Sequence, residues 1–181
     1  MLNDIIQKAM EFLQKPAKAF EKEKTTEVMD SFKYAAVLFL VVSVLSAIIS
    51  LNPVTFVIVY VVGIIFLVIG GLWLHLWAYI FGAKKGLNQT LKTVFYGGTP
   101  SYLLGWIPFI AIIFSLWGLY LQWIGLQKLQ GMPGNKALLA ILIAFIIPLI
   151  LLTIMALAFL AFLSPFAGLS GGEIPGFQMP Y

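Results

Sequence analysis

The sequence predicts an all-α fold: a polytopic membrane bundle of five transmembrane helices, preceded by an amphipathic interfacial helix. The chain has 181 residues, of which 61% are hydrophobic and only 10% are charged. Soluble domains carry about 25% charged residues. Three stretches hold no charge at all, 34–83, 93–127 and 137–172. Each exceeds the roughly 18 apolar residues that indicate a transmembrane helix.

The first uncharged stretch is long enough for two membrane spans. A helix rises about 1.5 Å per residue, so a single helix over residues 34–83 would be far longer than the hydrocarbon core, which is about 30 Å thick. Pro53 disfavours helix at Asn52 and suits the first turn of a new helix. We therefore predict spans at about 32–51 and 54–81.

The second uncharged stretch is ambiguous, because 93–127 is long for one helix and short for two. The segment Gly105–Pro108 interrupts it. This favours spans at about 88–105 and 108–127, although a re-entrant third span is an alternative. The last span is predicted at about 137–163.

The lysines test the number of spans. All eleven basic residues are lysines. With five spans and a cytosolic amino end, the inner segments 1–33, 82–92 and 128–136 hold six, three and two of them. Four spans would move Lys128 and Lys136 to the outside. The positive-inside rule therefore favours five spans.

The ends of the chain differ in character from the predicted membrane domain, 32–163. Residues 1–31 comprise an amphipathic helix and a charged linker. The helix, over 2–20, has apolar residues at helical spacing and a predicted bend at Pro16. It could lie on the inner leaflet or pack as a cap on the protein. The tail, 164–181, is rich in Gly and Pro and is predicted to be irregular and extracytosolic.

The predicted spans contain no Asp or Glu, which argues against an ion-driven transporter. His75 is the sole histidine and the chain has no cysteine, so we expect neither a metal site nor a bound cofactor. His75 and Gln122 share helix faces with small residues and are predicted to be packed polar contacts. We find no catalytic motif and predict that the chain is not an enzyme. Its loop lysines do not indicate nucleic-acid binding.

One segment of the third span is unusual. Two glycines and a proline lie within four residues and should break or bend the helix. Irregular backbone at membrane depth often lines a cavity or an interaction face, so a functional role and a simple kink are both open. The candidate residues are Tyr96, Gly97, Gly98, Thr99, Pro100 and Tyr102.

The order of segments resembles the Yip (Ypt/Rab-interacting protein) domain family. The resemblance rests on the Tyr/Gly-rich segment 96–108, the Trp-rich segment 115–126 and the turn at Asn135–Ala137. It implies five spans, a cytosolic amino end and an extracytosolic carboxyl end. Eukaryotic members bind prenylated small GTPases and each other, but the acidic motif that precedes their first span is missing here. The short form is similar to archaeal or bacterial members, which implies a prokaryotic cell membrane.

Two functions follow as hypotheses. The first is a membrane scaffold or adaptor that forms homo-oligomers and docks anionic lipids or a protein partner. Its docking surface would be an inner face without acidic residues, formed by Lys84, Lys85, Lys92, Lys128 and Lys136. The alternative is a passive conduit for lipid or a small hydrophobic solute, lined by polar residues of the spans. Those residues are Thr99, Ser101, His75 and Gln122.

Overall fold

Helices form every regular element in the computed structural model, which describes residues 2–107 and 109–167. Contacts divide the chain into two units, one up to Ala144 and one from Phe145 onward. The helices are α1 (Leu2–Gln14), α2 (Pro16–Lys22), α3 (Val28–Ser50), α4 (Pro53–Val57), α5 (Gly63–Ile80), α6 (Leu87–Gly97), α7 (Thr99–Leu104), α8 (Ala111–Gly125) and α9 (Gly134–Ala167). Two π-helical stretches, Ile58–Val62 and Leu126–Gln130, continue α4 and α8.

Three helical segments are long and apolar enough to cross a membrane: Val28–Ser50, Pro53–Ile80 and Gly134–Ser164. They correspond to the predicted first, second and fifth spans. Only 28%, 11% and 11% of their most apolar windows are buried, as expected of helices whose apolar surface is solvated by lipid tails. The chain is therefore an all-α protein with three helical segments that could cross a membrane.

The predicted third and fourth spans are not single long α-helices. The third is divided at Gly98 into α6 and α7, and the fourth is α8 with its π-helical extension. Between them residues 105–107 and 109–110 form turns and a bend, and Pro108 lies outside the described residues. The ambiguous stretch 93–127 thus doubles back instead of forming one helix.

The turn between α3 and α4 follows from local chemistry. Leu51 adopts the left-handed conformation that commonly ends a helix, with φ 51°. The Asn52 side chain then accepts a hydrogen bond from Val54 N at 2.9 Å. Pro53 occupies the first helical turn, where its missing N–H is not needed. This is the reversal that the proline predicted between the first two spans.

The amino-terminal helices α1 and α2 pack on the protein. This is the second of the two alternatives given for the amphipathic segment, a cap on the protein. Pro16 begins α2 and separates it from α1. Phe12 and Phe20 are completely buried, with ring centroids 4.9 Å apart. Ile6 and Met10 on α1 stay about half exposed. The helix pair therefore covers the core with one side and keeps an apolar strip at the surface.

The main core cluster is centred on α6. The fully buried Tyr96 ring stacks on Phe12 at 4.6 Å and lies 5.2 Å from the Tyr34 ring. Thus α1, α3 and α6 meet at one side chain. Aromatic pairs in such geometry contribute about 1 kcal/mol each beyond their buried area.

Glycine allows α6 and α8 to approach closely. A Cβ atom on residue 97 would lie 2.6 Å from Gln122 Cγ and 3.2 Å from Gln122 N. On the facing helix, a Cβ at Gly118 would lie 3.2 Å from Gly97 O, and one at Gly125 would lie 2.7 Å from Thr93 Cγ2. The small-residue face predicted around Gln122 is therefore used within a single chain, against α6.

We expect Gly97→Ala to lower the unfolding free energy by about 2 kcal/mol, because the new methyl group overpacks the α6–α8 contact. Gly70→Ala is the matched control, since Gly70 is helical and a Cβ there meets nothing within 4 Å. The control should be neutral or slightly stabilising. Thermal unfolding in one detergent compares the two variants. Equal midpoints would show that α6 and α8 do not approach as described.

Candidate functional site

Lys92 anchors α6 to the linker that precedes α3. It is only 2% exposed, and its ammonium donates to Glu23 O, Lys24 O and Thr26 O, each at 2.9 Å. All three donor positions of the ammonium are therefore used. The prediction that Lys92 belongs to an accessible lysine surface is wrong, because linker carbonyls enclose the ammonium.

A second buried contact joins the same linker to the core. Tyr96 Oη donates to Glu23 Oε2 at 2.5 Å, and Lys8 Nζ pairs with Glu23 Oε1 at 2.7 Å. Lys8 Nζ also lies 5.5 Å from the centroid of the Tyr96 ring. Glu23 is only 8% exposed. We call Lys8, Glu23, Lys92 and Tyr96 the linker junction, since together they hold α1, the linker and α6 in contact.

The environment of Glu23 favours its charged form. Burial acts to raise the pKa of the Glu23 carboxyl. Hydrogen bonds from Lys8, Tyr96 and Thr26 lower the pKa by more, so it lies below its usual value. The carboxylate is thus a permanent acceptor at neutral pH, which suits a structural contact between the amino-terminal helices and α6.

Apart from the half-buried Gly98, the remaining residues of the unusual segment are also buried. Thr99 Oγ1 donates to Tyr96 O at 2.6 Å, and Tyr34 Oη therefore donates to Thr99 Oγ1 at 2.9 Å. Pro100 and Tyr102 are buried as well. A Cβ at Gly98 would lie 2.2 Å from Tyr102 Oη, so glycine leaves space for the Tyr102 side chain. The segment forms the packed centre of the bundle and satisfies its hydroxyl groups internally.

His75 belongs to a polar network distinct from the linker junction. His75 Nδ1 lies 2.9 Å from Thr90 Oγ1, and Gln130 Nε2 donates to the same hydroxyl at 2.9 Å. Gln130 also donates to Gly86 O at 2.6 Å and accepts from Lys85 N at 2.9 Å. The network links α5, α6 and the end of the fourth span. The sequence singled out His75 but not Gln130, which joins more segments.

The other candidate lysines divide into two kinds. Lys84 and Lys85 are exposed on the loop before α6, and Lys136 is exposed on the first turn of α9. A Cβ atom added at Gly131, just before α9, would lie 3.2 Å from Lys85 Nζ, so the two segments are neighbours. We call these three the loop lysines. Lys128 instead pairs with Glu21 at 3.0 Å, so the predicted absence of acidic residues on this face is wrong. The α2 helix supplies the acid.

The ion pair with Lys128 also changes the pKa of Glu21. A hydrogen bond and the positive charge of Lys128 lower the pKa of the Glu21 carboxyl below its usual value. The pair is exposed, so it contributes little to stability. It does show that α2 lies beside the end of the fourth span.

No group of three or more potential metal-ligating side chains occurs among residues 2–107 and 109–167. The described part of the chain thus defines a class of protein: an all-α membrane protein with a buried polar junction and exposed loop lysines. The Yip1 domain family matches residues 10–157. The chain belongs to this family, and the resemblance seen in the sequence is confirmed. No curated protein and no solved structure matches significantly.

We expect Lys92→Met to lower the unfolding free energy by about 2 kcal/mol, because three linker carbonyls lose a charged donor while the apolar stem is kept. Lys84→Met is the matched control, since Lys84 is exposed. Chemical or thermal unfolding of the purified protein measures both variants. A Lys92→Met protein as stable as the control would contradict the anchoring role.

Acid should loosen the linker junction. Because the pKa of folded Glu23 is lowered, its contribution to stability is present above about pH 4.5 and is lost as the pH falls through the folded value. The melting temperature of the Glu23→Gln variant should therefore fall less between about pH 6 and about pH 3 than that of the unchanged protein. The control Glu11→Gln should keep the pH dependence of the melting temperature seen in the unchanged protein. If the Glu23→Gln variant and the unchanged protein show the same pH dependence, the stabilising role of the Glu23 carboxylate is refuted.

Proposed function

We propose that the chain crosses the membrane five times with its amino end in the cytosol. The segments 87–104 and 111–130 support this proposal, because about 18 to 20 helical residues span about 30 Å. They pack side by side at Gly97 and Gly118, as consecutive antiparallel spans do. This arrangement puts the loop lysines and the amino-terminal helices on the cytosolic side, in agreement with the positive-inside rule.

We further propose that the protein is a non-enzymatic membrane scaffold that docks anionic lipids, or an acidic protein partner, on its cytosolic face. The observation that carries this proposal is the exposure of Lys84 and Lys85 on the loop before α6 and of Lys136 on the neighbouring first turn of α9, with no acidic residue in 82–86 or 131–136. Each such lysine near a negatively charged surface contributes about 1 kcal/mol, which salt screens.

The small-residue helix faces, from which a homo-oligomer was predicted, give little support to self-association. Gly71 faces Leu91, Gly118 faces Gly97, and Ala78 is fully buried, all within one chain. Close packing by these residues is therefore already used to build the bundle. Self-association would use the exposed apolar helix surfaces, and the scaffold proposal rests on the loop lysines instead.

The alternative function, a conduit for lipid or a small solute, has less support than the scaffold. Thr99 is fully buried with both of its contacts internal, and His75 is engaged with Thr90. A polar route would have to break these contacts. Reconstituted protein that accelerates the flux of labelled lipid across liposomes would favour the conduit over the scaffold.

Replacement of all three loop lysines by Gln should reduce the preference for phosphatidylglycerol over phosphatidylcholine by about tenfold at low salt. The triple variant Lys15→Gln, Lys18→Gln, Lys24→Gln is the matched control, because these lysines are also exposed but lie away from the loop before α6 and the start of α9. Native mass spectrometry of detergent-solubilised protein titrated with each lipid gives the ratio. An unchanged ratio in the loop variant, or an equal loss in the control, would refute docking at the loop lysines.

A further inference from the structure

A groove separate from the loop lysines lies between α1 and the first turns of α3. Its volume is about 380 Å³. The charged part of its wall comes from Asp4, Lys8, Asp30 and Lys33, and the apolar part from Ile5, Tyr34 and Val37. The groove therefore combines charges of both signs with an apolar floor, which is the pattern of an amphiphile with a polar head and a hydrocarbon tail.

The charges in the groove balance. Two carboxylates face two ammonium groups, so the formal charge of the lining is zero. Lys33 pairs with Asp30 at 3.2 Å, and both side chains are more than half exposed. Each Asp30 oxygen can accept more than one hydrogen bond, and the Lys33 ammonium has donors left for a second acceptor. Lys8 is held by Glu23 at 2.7 Å, so Asp30 and Lys33 are the adaptable pair.

The charge pattern of α3 predicts how deep the groove lies in a membrane. α3 is a membrane-spanning candidate, and after Lys33 it carries no further charge. Asp30 and Val37 are seven residues apart, which is about 10 Å along the helix. The headgroup region of one leaflet is about 5 to 8 Å thick. With the hydrocarbon beginning after Lys33, the charged end of the groove would lie at headgroup level and Val37 at the edge of the hydrocarbon.

We propose that this groove binds a zwitterionic phospholipid with a primary ammonium headgroup, of the phosphatidylethanolamine class. Lys33 donates to the lipid phosphate, Asp30 accepts from the lipid ammonium, and one acyl chain packs on Ile5 and Val37. An anionic headgroup would leave the two aspartates facing negative charge. A quaternary ammonium has no N–H to donate to Asp30, so phosphatidylcholine makes the weaker complex.

The test is lipid retention by the purified full chain in native mass spectrometry, with phosphatidylethanolamine, phosphatidylcholine and phosphatidylglycerol of identical acyl chains. The double variant Asp30→Asn, Lys33→Gln removes the adaptable pair without changing net charge. Glu11→Gln, Lys22→Gln is the matched control, because it removes another exposed ion pair, of 2.7 Å, outside the groove. Val37→Trp is a second variant that keeps the charges and fills the apolar floor.

We expect the Asp30/Lys33 variant to bind phosphatidylethanolamine about fivefold more weakly, near the level of phosphatidylcholine, and the Glu11/Lys22 control to bind as before. Val37→Trp should weaken retention of phosphatidylethanolamine as well. Unchanged retention in the Asp30/Lys33 or Val37 variant would overturn the proposal, as would an equal loss in the control. Because the loop lysines are intact in every variant, these outcomes are independent of anionic-lipid docking there.

Discussion

The buried ammonium of Lys92 is the constraint on which the rest of the structure depends. A charged group in an apolar bundle is costly unless hydrogen bonds compensate it. Here the compensation comes from three linker carbonyls, those of Glu23, Lys24 and Thr26. This requirement holds the linker against α6, which brings Glu23 to Tyr96 and lays α1 and α2 over the core. The placement of Glu21 beside Lys128, and the groove between α1 and α3, follow from the same docking.

A second constraint acts in the packed interior, where polar groups have no water to bind. The segment around Gly98 is interrupted, yet its hydroxyl groups bond within the bundle and its glycines allow α6 to approach α8. The irregular backbone therefore serves packing. The proposed lipid contacts lie instead at the periphery, at the exposed loop lysines and the charged groove. The proposed scaffold, with a packed centre and peripheral lipid sites, is consistent with both constraints.

Much of the fold could be predicted from local signals. The long uncharged stretches predicted the apolar helices. Pro16 and Pro53 predicted the ends of helices, and the Tyr–Gly–Gly segment predicted the interruption between α6 and α7. The linker junction could not be predicted in this way. Lys92 and its carbonyl partners are 66 to 69 residues apart, and Tyr96 and Glu23 are 73 apart. In the sequence, Glu23 is one of several acids in a polar linker, and Lys92 is one of several lysines near a helix end. Only tertiary packing distinguishes them.

The number of crossings tests the account most directly, because the sidedness of every proposed lipid contact depends on the path of α6–α8. The chain has no cysteine, so single substitutions Lys84→Cys and Phe109→Cys each introduce a unique label site. Both positions are exposed. With an impermeant maleimide on sealed, oriented vesicles, five crossings predict that the two sites react from opposite sides. Reaction of both sites from the same side would mean that α6–α8 re-enters and that the chain crosses only three times.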